Sequence, residues 1–311
     1  RTGLLGPHDP KALCSRVTGY KYDTGVSGGP AAKLVLEWCG GSAPVAAHLR
    51  MLVGYTLTGL ASERLLTWLH GPPGTAKSSF VDLLAAVMGT YAAQGVPSAT
   101  WLDVPRKPAD SIRATRGCRL VTSSELKGKA WDEDAILPFC GGEDAIRAEG
   151  KWKAQIQWRQ QCKLWVTSNS EPAGASAALQ DRAHVIPFDR RYEADPVFKR
   201  TLPDTYGPSF LVWAVRAAVD YLAAERLPER PEAVRLATVE ATQDDFGAWL
   251  VTLAGVGGEI RSSTLFEAWQ RAHPGQAPTA STTFGRKMRD YSHLYKREER
   301  KDGNYYLGIR L

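Results

Sequence analysis

The 311-residue sequence has no run of about 20 consecutive apolar residues, so no helix is expected to cross a bilayer. It has no CxxC pair. Its five cysteines (Cys14, Cys39, Cys118, Cys140, Cys162) are odd in number and widely scattered, which supports neither a zinc site nor a disulfide framework and fits a reducing, cytoplasmic setting. Internal repeats and low-complexity segments are missing, as is a charged-then-apolar leader. Arg1 is accordingly read as the cut end of something longer. Net charge is small: 39 Lys+Arg against 33 Asp+Glu leave +6, too little to predict nucleic-acid binding by itself. With 43% hydrophobic and 23% charged residues, disorder and collagen-like repeats are excluded, and the length suits about two domains.

The charge is unevenly placed. Residues 260–311 hold ten Lys/Arg and five Asp/Glu, so nearly all of the excess sits in the last sixth of the chain, where it can attract phosphate. Three regions are expected: a helical segment over 1–62, an α/β core over 63–228 and a small domain over 240–311. Turn signals (Gly6-Pro7, Asp9-Pro10, Gly28-Gly29-Pro30) precede a helix over 46–60. Short apolar strands then alternate with amphipathic helices from 65 to 169, the pattern of a parallel sheet. Residues 209–224 read as one buried helix, and 226–231 as the exit from the core. Residues 241–311 read as three helices and two short strands joined by a turn at Asp302-Gly303.

The strongest local signal is Leu65-Leu66-Thr67-Trp68-Leu69-His70, of strand length, followed by Gly71-Pro72-Pro73-Gly74-Thr75-Ala76-Lys77-Ser78-Ser79 and a helix ending at Gly89. Strand, glycine-containing loop and helix are the context of a phosphate-binding loop. Backbone N–H groups at the helix start form an anion site, which the helix dipole reinforces. Lys77 would reach the β- and γ-phosphates of ATP, and the Ser78 hydroxyl would ligate Mg²⁺. Ala76 stands where the pattern has Gly, and its methyl group restricts φ.

Three further residues fit nucleotide hydrolysis. Leu120-Val121-Thr122-Ser123-Ser124 is a strand running into Glu125, a single acid for both metal and water; the other reading is a solvated acid opening the next helix. Lys163-Leu164-Trp165-Val166-Thr167-Ser168 is a buried strand closing in Asn169. Ligands bind beyond the carboxyl ends of such strands, where Asn169 would orient the attacking water, although Asn is also simply a good turn residue. Arg182 precedes the short strand Ala183-His184-Val185-Ile186. It could be a surface residue, an ion-pair partner or a finger entering a neighbouring subunit's site, a device that contributes about 10³–10⁵ in rate elsewhere. Arg190 and Arg191 compete for that role.

Taken in order, residues 71–78, the strand ending in Glu125, Gly141-Gly142-Glu143, the run 164–169 and the run 182–188 resemble the superfamily 3 helicases. The likeness is to the helicase half of phage and plasmid primase–helicase proteins, relatives of the poxvirus-type helicase. Val17-Thr18-Gly19-Tyr20-Lys21-Tyr22-Asp23 and Gly54-Tyr55-Thr56-Leu57-Thr58-Gly59 are similar to the segment before that family's core. Thr283-Phe284-Gly285 and Tyr306-Leu307-Gly308-Ile309 resemble its winged-helix ending. The resemblance implies an AAA+-like P-loop ATPase with a central parallel sheet, a preceding helical segment and a winged helix. It implies a homohexameric ring moving on single-stranded or forked DNA with ATP and Mg²⁺, and relatives carry a primase or polymerase module upstream. Its metal acid maps to Glu125, its sensor to Asn169 and its finger to Arg182. The chain departs from the family at Ala76, at Glu143 where Asp is usual, and at Leu137 or Pro138 where a lysine is frequent.

DNA contacts are expected in two places. Residues 145–159 read as a hairpin carrying Arg147, with Lys151, Trp152 and Lys153 at its glycine-containing tip; the resemblance projects this hairpin into the ring's channel. Lysine contacts phosphate and an aromatic stacks on bases without sequence preference, unless Trp152 packs inward. The second place is the C-terminal domain, with Arg286, Lys287 and Arg289 on its last helix and Lys296, Arg297, Arg300 and Lys301 in the hairpin. Domains of that kind also serve as protein contacts. A different class of reading is a replication initiator in which ATP is an assembly switch; a third is a remodeller of proteins.

Overall fold

Apolar runs without polar alternation need both faces covered, and parallel sheets flanked by helices supply that cover. The computed structural model describes residues 5–7, 9–104, 110–124, 131–141, 145–150, 153–169, 176–234, 245–274, 280–291, 295–300 and 303–309. They divide into two compact units, 1–237 and 238–311. The first runs α1 (Gly29–Trp38), α2 (Ala43–Thr58), β1 (Leu66–His70), α3 (Lys77–Met88), β2 (Ala92–Ala93), β3 (Leu120–Ser124) and α4 (Glu133–Ile136). It continues through β4 (Ala145–Gly150), β5 (Lys153–Arg159), β6 (Lys163–Ser168), α5 (Ala177–Arg182), β7 (Ala183–Pro187) and α6 (Pro196–Ala224).

Five strands form a parallel sheet in the order β2-β3-β6-β1-β7. The out-of-sequence order puts β1, with its loop, between β6 and β7. Side-chain alternation sends Leu66, Trp68, Val121, Leu164, Val166 and Val185 to one face, against Ile136 of α4 and Leu179 of α5. Leu69, Leu120, Trp165 and Ile186 go to the other, under α1, α2, α3 and α6. Phe80 of α3 centres that second layer, with Trp38, Trp165, Phe188 and Phe210 ring centroids 5.9–6.2 Å away. The β4–β5 hairpin is rooted by Ile146 and Trp158, which pack in the first layer.

Helix α6 begins well before the expected residue 209 and contains Pro203 and Pro208. Each proline removes a helical N–H, which is why the sequence reads as interrupted there. The helix nevertheless continues through both, and the Tyr20 hydroxyl donates to the Pro203 carbonyl at 2.8 Å. The Tyr20 ring lies on Gly207, where a Cβ would come within 2.2 Å of it, so only glycine admits this contact.

The second unit comprises α7 (Asp245–Leu253), β8 (Ala254–Arg261), α8 (Ser262–Ala272), α9 (Ser281–Asp290), β9 (Lys296–Arg300) and β10 (Gly303–Ile309). Its antiparallel sheet has the order β8-β10-β9, so the expected three helices and two strands gain a third strand. Strand β8 holds Gly255, Gly257 and Gly258, residues with little strand preference, and pairing to β10 overrides that. Phe246, Trp269 and Phe284 form the core, with the Phe246 ring 5.0 and 5.3 Å from the other two. Among the described residues no helix is long and apolar enough to cross a membrane.

Candidate active site

The site grows from the carboxyl end of β1. After His70 the chain turns at Gly71, whose φ is +148° and whose missing side chain leaves room for the Phe188 carbonyl; a Cβ would lie 2.0 Å from that oxygen. The loop reaches α3 through Ala76, at φ +68° and ψ +7°. That is the left-handed region, disfavoured for a residue with a Cβ by roughly 1–2 kcal/mol. An alanine here carries backbone strain that a glycine would not. Lys77, only 6% exposed, donates from Nζ to the carbonyls of Gly71 (2.6 Å) and Pro72 (2.7 Å) and to the Thr75 hydroxyl (3.2 Å). Its ammonium is thus set inside the loop.

A cavity of about 440 Å³ opens over this loop. Its lining includes Lys77, Ser78 and Ser79 from the loop and first turn, Ser124 from the end of β3, and Thr167, Ser168 and Asn169 from the end of β6. Residues 73–76 complete it, whereas Gly71 and Pro72 lie behind it as acceptors for Lys77. The structure therefore brings the loop and Asn169 together at the carboxyl end of the neighbouring strands β1 and β6. Glu125 follows Ser124 directly but lies outside the described residues, as does Glu143.

Arg182 is elsewhere. It ends α5, and its neighbour Ala183 pairs with Leu66 at the amino end of β1, so a full strand separates it from the loop of its own chain. Its Nη1 donates to the Ala178 carbonyl at 2.5 Å, and among the described residues its buried Nε has no hydrogen-bond partner. Helix α5 is fixed at its start by Ser176, whose backbone N–H and hydroxyl both donate to the Glu133 carboxylate, at 2.9 and 2.6 Å. Arg190, by contrast, stands near the loop end of β7, 3.7 Å from Glu37 and stacked on Tyr192.

In the hairpin, Arg147 is exposed and opposite Gln157, and Lys153 pairs with Gly150 next to the tip. Lys151 and Trp152 lie outside the described residues. Arg113 donates to the Ala154 carbonyl at 2.8 Å and ties β5 to the sheet domain. In the second unit Arg289 is exposed, and the Lys287 ammonium is 5.1 Å from the Phe246 ring centre. Arg286 is in α9; its side chain lies outside the description. Glu259 (2.7 Å) and Glu298 (2.8 Å) hold the Arg300 guanidinium over Tyr305.

A second cavity, of about 860 Å³, adjoins the first and shares Gly74, Ala76 and Ser79 with it. Leu34, Trp38, Tyr192 and Tyr206 give it apolar walls, and Glu193 and Asp195 carry acids into it. The sequence reading missed this wall. One signal was present: Asp195-Pro196 is an N-cap with proline at the first helical position, and Asp195 Oδ1 accepts the Phe198 N–H at 2.8 Å. The tether that brings the wall to the loop, Tyr192 N–H to the Gly74 carbonyl at 2.9 Å, has no sequence signature.

A family described as of unknown function (DUF5906) matches residues 69–190, from β1 to just past β7. No curated protein matches the chain. Among solved structures, the apo structure of the NrS-1 C-terminal region (305–718) is similar at a TM-score of 0.52 and 13% identity, covering 93% of this chain and 79% of that one. The A-form apo structure of the same region gives 0.52 and 12%, with 96% and 79% covered. The chain therefore shares the fold of that region; in this chain it is an α/β arrangement around a five-stranded parallel sheet.

Proposed function

We propose that the chain is an ATP-dependent DNA helicase of the superfamily 3, AAA+-like kind. It acts in the cytoplasm as a homohexameric ring on single-stranded and forked DNA, as the helicase part of a phage or plasmid replication protein. The observation that carries this reading is the cavity in which Lys77, Ser78, the end of β3 and Asn169 meet. The fold shared with the NrS-1 region supports the ATPase core, and three helices with a three-stranded antiparallel sheet support a winged helix in the second unit.

The cavity's oxygen donors, the hydroxyls of Ser78, Ser124 and Thr167 and the Asn169 amide, suit a hard cation, so Ser78 with Glu125 would hold Mg²⁺. Mg²⁺ supplies charge neutralisation of the β- and γ-phosphates when bound. Loop N–H groups and Lys77 hold the triphosphate. Asn169 orients a water molecule, Glu125 takes its proton, and the water oxygen bonds to the γ-phosphorus as the bond to the β-phosphate oxygen breaks, leaving ADP and phosphate. Arg182, a strand's length from its own loop, serves the next subunit's site by stabilising the charge on the transferred group.

Lys77→Ala tests the reading. Hydrolysis should fall by more than about a hundredfold with the circular dichroism spectrum unchanged, and wild-type hydrolysis should rise with single-stranded DNA. Retained turnover in the variant removes the phosphate-loop assignment. The strained Ala76 favours a second reading, an ATP-switched replication initiator with weak ATPase. In that case wild-type protein binds ATP, turns it over slowly and ignores single-stranded DNA.

A further inference from the structure

We propose that the 860 Å³ cavity takes the nucleoside half of the nucleotide and selects ribose over 2′-deoxyribose through the carboxylates of Glu193 and Asp195. This rests on the phosphate site proposed above and names the sugar which that site accepts.

Continuity comes first. The two cavities share Gly74, Ala76 and Ser79, so a ligand whose phosphates lie on the loop extends from one into the other. The larger one is of the size that encloses small ligands. Its walls suit a flat heterocycle: Trp38 is buried and held edge-on to Phe80 at 6.2 Å, and Tyr192 is fixed by its hydroxyl on the Glu37 carbonyl at 3.1 Å.

Charge sets the direction. Among the described lining residues, Glu37, Glu193 and Asp195 face Lys199, whose ammonium lies 3.8 Å from Asp82, and Arg190, outside the lining, stands 3.7 Å from Glu37, so Glu193 and Asp195 keep the cavity acidic. An acidic cavity repels phosphate and tolerates a neutral nucleoside, so the triphosphate lies on the loop and the sugar and base lie here.

Position then singles out the sugar. The backbone bond from Tyr192 to Gly74 holds the following residue, Glu193, against the loop, and Asp195 is fixed two residues later as the N-cap of α6. The sugar is the first group beyond the α-phosphate. A carboxylate is an acceptor only, and a ribose offers it two neighbouring hydroxyl donors where a 2′-deoxyribose offers one. An acid on the 2′-hydroxyl is the device that dinucleotide-binding folds use.

The test is calorimetric titration of the full chain, with magnesium, by ATP, 2′-deoxy-ATP and inorganic tripolyphosphate. Wild-type protein should bind ATP about tenfold or more tightly than 2′-deoxy-ATP, the scale of one hydrogen bond to a charged acceptor. Glu193→Gln with Asp195→Asn should bring the two within about twofold and bind tripolyphosphate no more weakly than wild type; asparagine preserves the helix cap. Equal wild-type affinities overturn the inference, and so does a preference that survives the double substitution. Failure of both ATP and tripolyphosphate to bind wild-type protein removes the phosphate site, and the sugar site with it.

Discussion

His48 of α2 and His184 of the edge strand β7 lie stacked, with Nε2 of the first 2.8 Å from Nδ1 of the second. Burial, then the nearby Arg230 guanidinium, pushes His48 down to about 4. Burial, Arg230 and His48 push His184 down to about 3. Above pH 6.5 both rings are neutral in the folded and unfolded chains. Below it the unfolded chain takes up protons that the folded chain refuses, so stability falls with pH from about 6.5 towards 4. Each ring contributes up to about 1.4 kcal/mol per pH unit in that window. Urea unfolding between pH 6.5 and 5 should show this slope, and a His48→Gln, His184→Gln double variant should flatten it. An equal slope in both proteins would remove the pair as its source.

The strain at Ala76 gives a second expectation. Ala76→Gly relieves a left-handed alanine at φ +68°, and the gain exceeds the extra chain entropy glycine brings to the unfolded state. Net stabilisation of about 1 kcal/mol should appear as a higher Tm. Hydrolysis should also rise, because the loop then reaches its phosphate-bound shape without a methyl group at the helix start. A lower Tm would mean that the packing of the Ala76 methyl on the core outweighs the strain.

The parts of this fold that were legible are those encoded locally. β1, the loop and α3 are contiguous, each with its own signal, and β3, β6 and the hairpin announce themselves as strand-length runs. Helix α6 reads as shorter than it is because two prolines inside it carry a breaker signal, while the packing of its buried face on distant segments carries the helix through them. β8 was missed because a glycine-rich strand forms only when β10 is there to pair with it. The cavity wall at residues 192–196 and the histidine pair are likewise products of contacts between distant segments, which no periodicity reports.

Arg182 gives a prediction about assembly. Its distance from its own loop means that Arg182→Ala should leave ATP affinity within about twofold while hydrolysis falls by about 10³ or more. Glu125→Ala subunits lack the acid but still present an intact arginine. Mixing the two variants creates interfaces with both groups whole, so turnover should return in proportion to such interfaces. Two dead variants that stay dead at every mixing ratio would argue against a site shared between subunits.

On the proposed reading, the hairpin keeps DNA contact apart from the chemistry. Its root is packed into the sheet domain through Ile146 and Trp158, whereas Lys153 pairs with Gly150 next to the tip and Lys151 lies outside the described residues. Removing both charges should therefore weaken single-stranded DNA binding and strand separation while basal hydrolysis holds within about twofold. Each lost phosphate contact should also lower the salt slope of binding by about 0.7 on a single strand, so the double variant should lose roughly 1.4 per protomer engaged. Affinity measured from 50 to 300 mM salt distinguishes the outcomes. An unchanged slope would move the contact to α9, where Arg286, Lys287 and Arg289 become the residues to neutralise next.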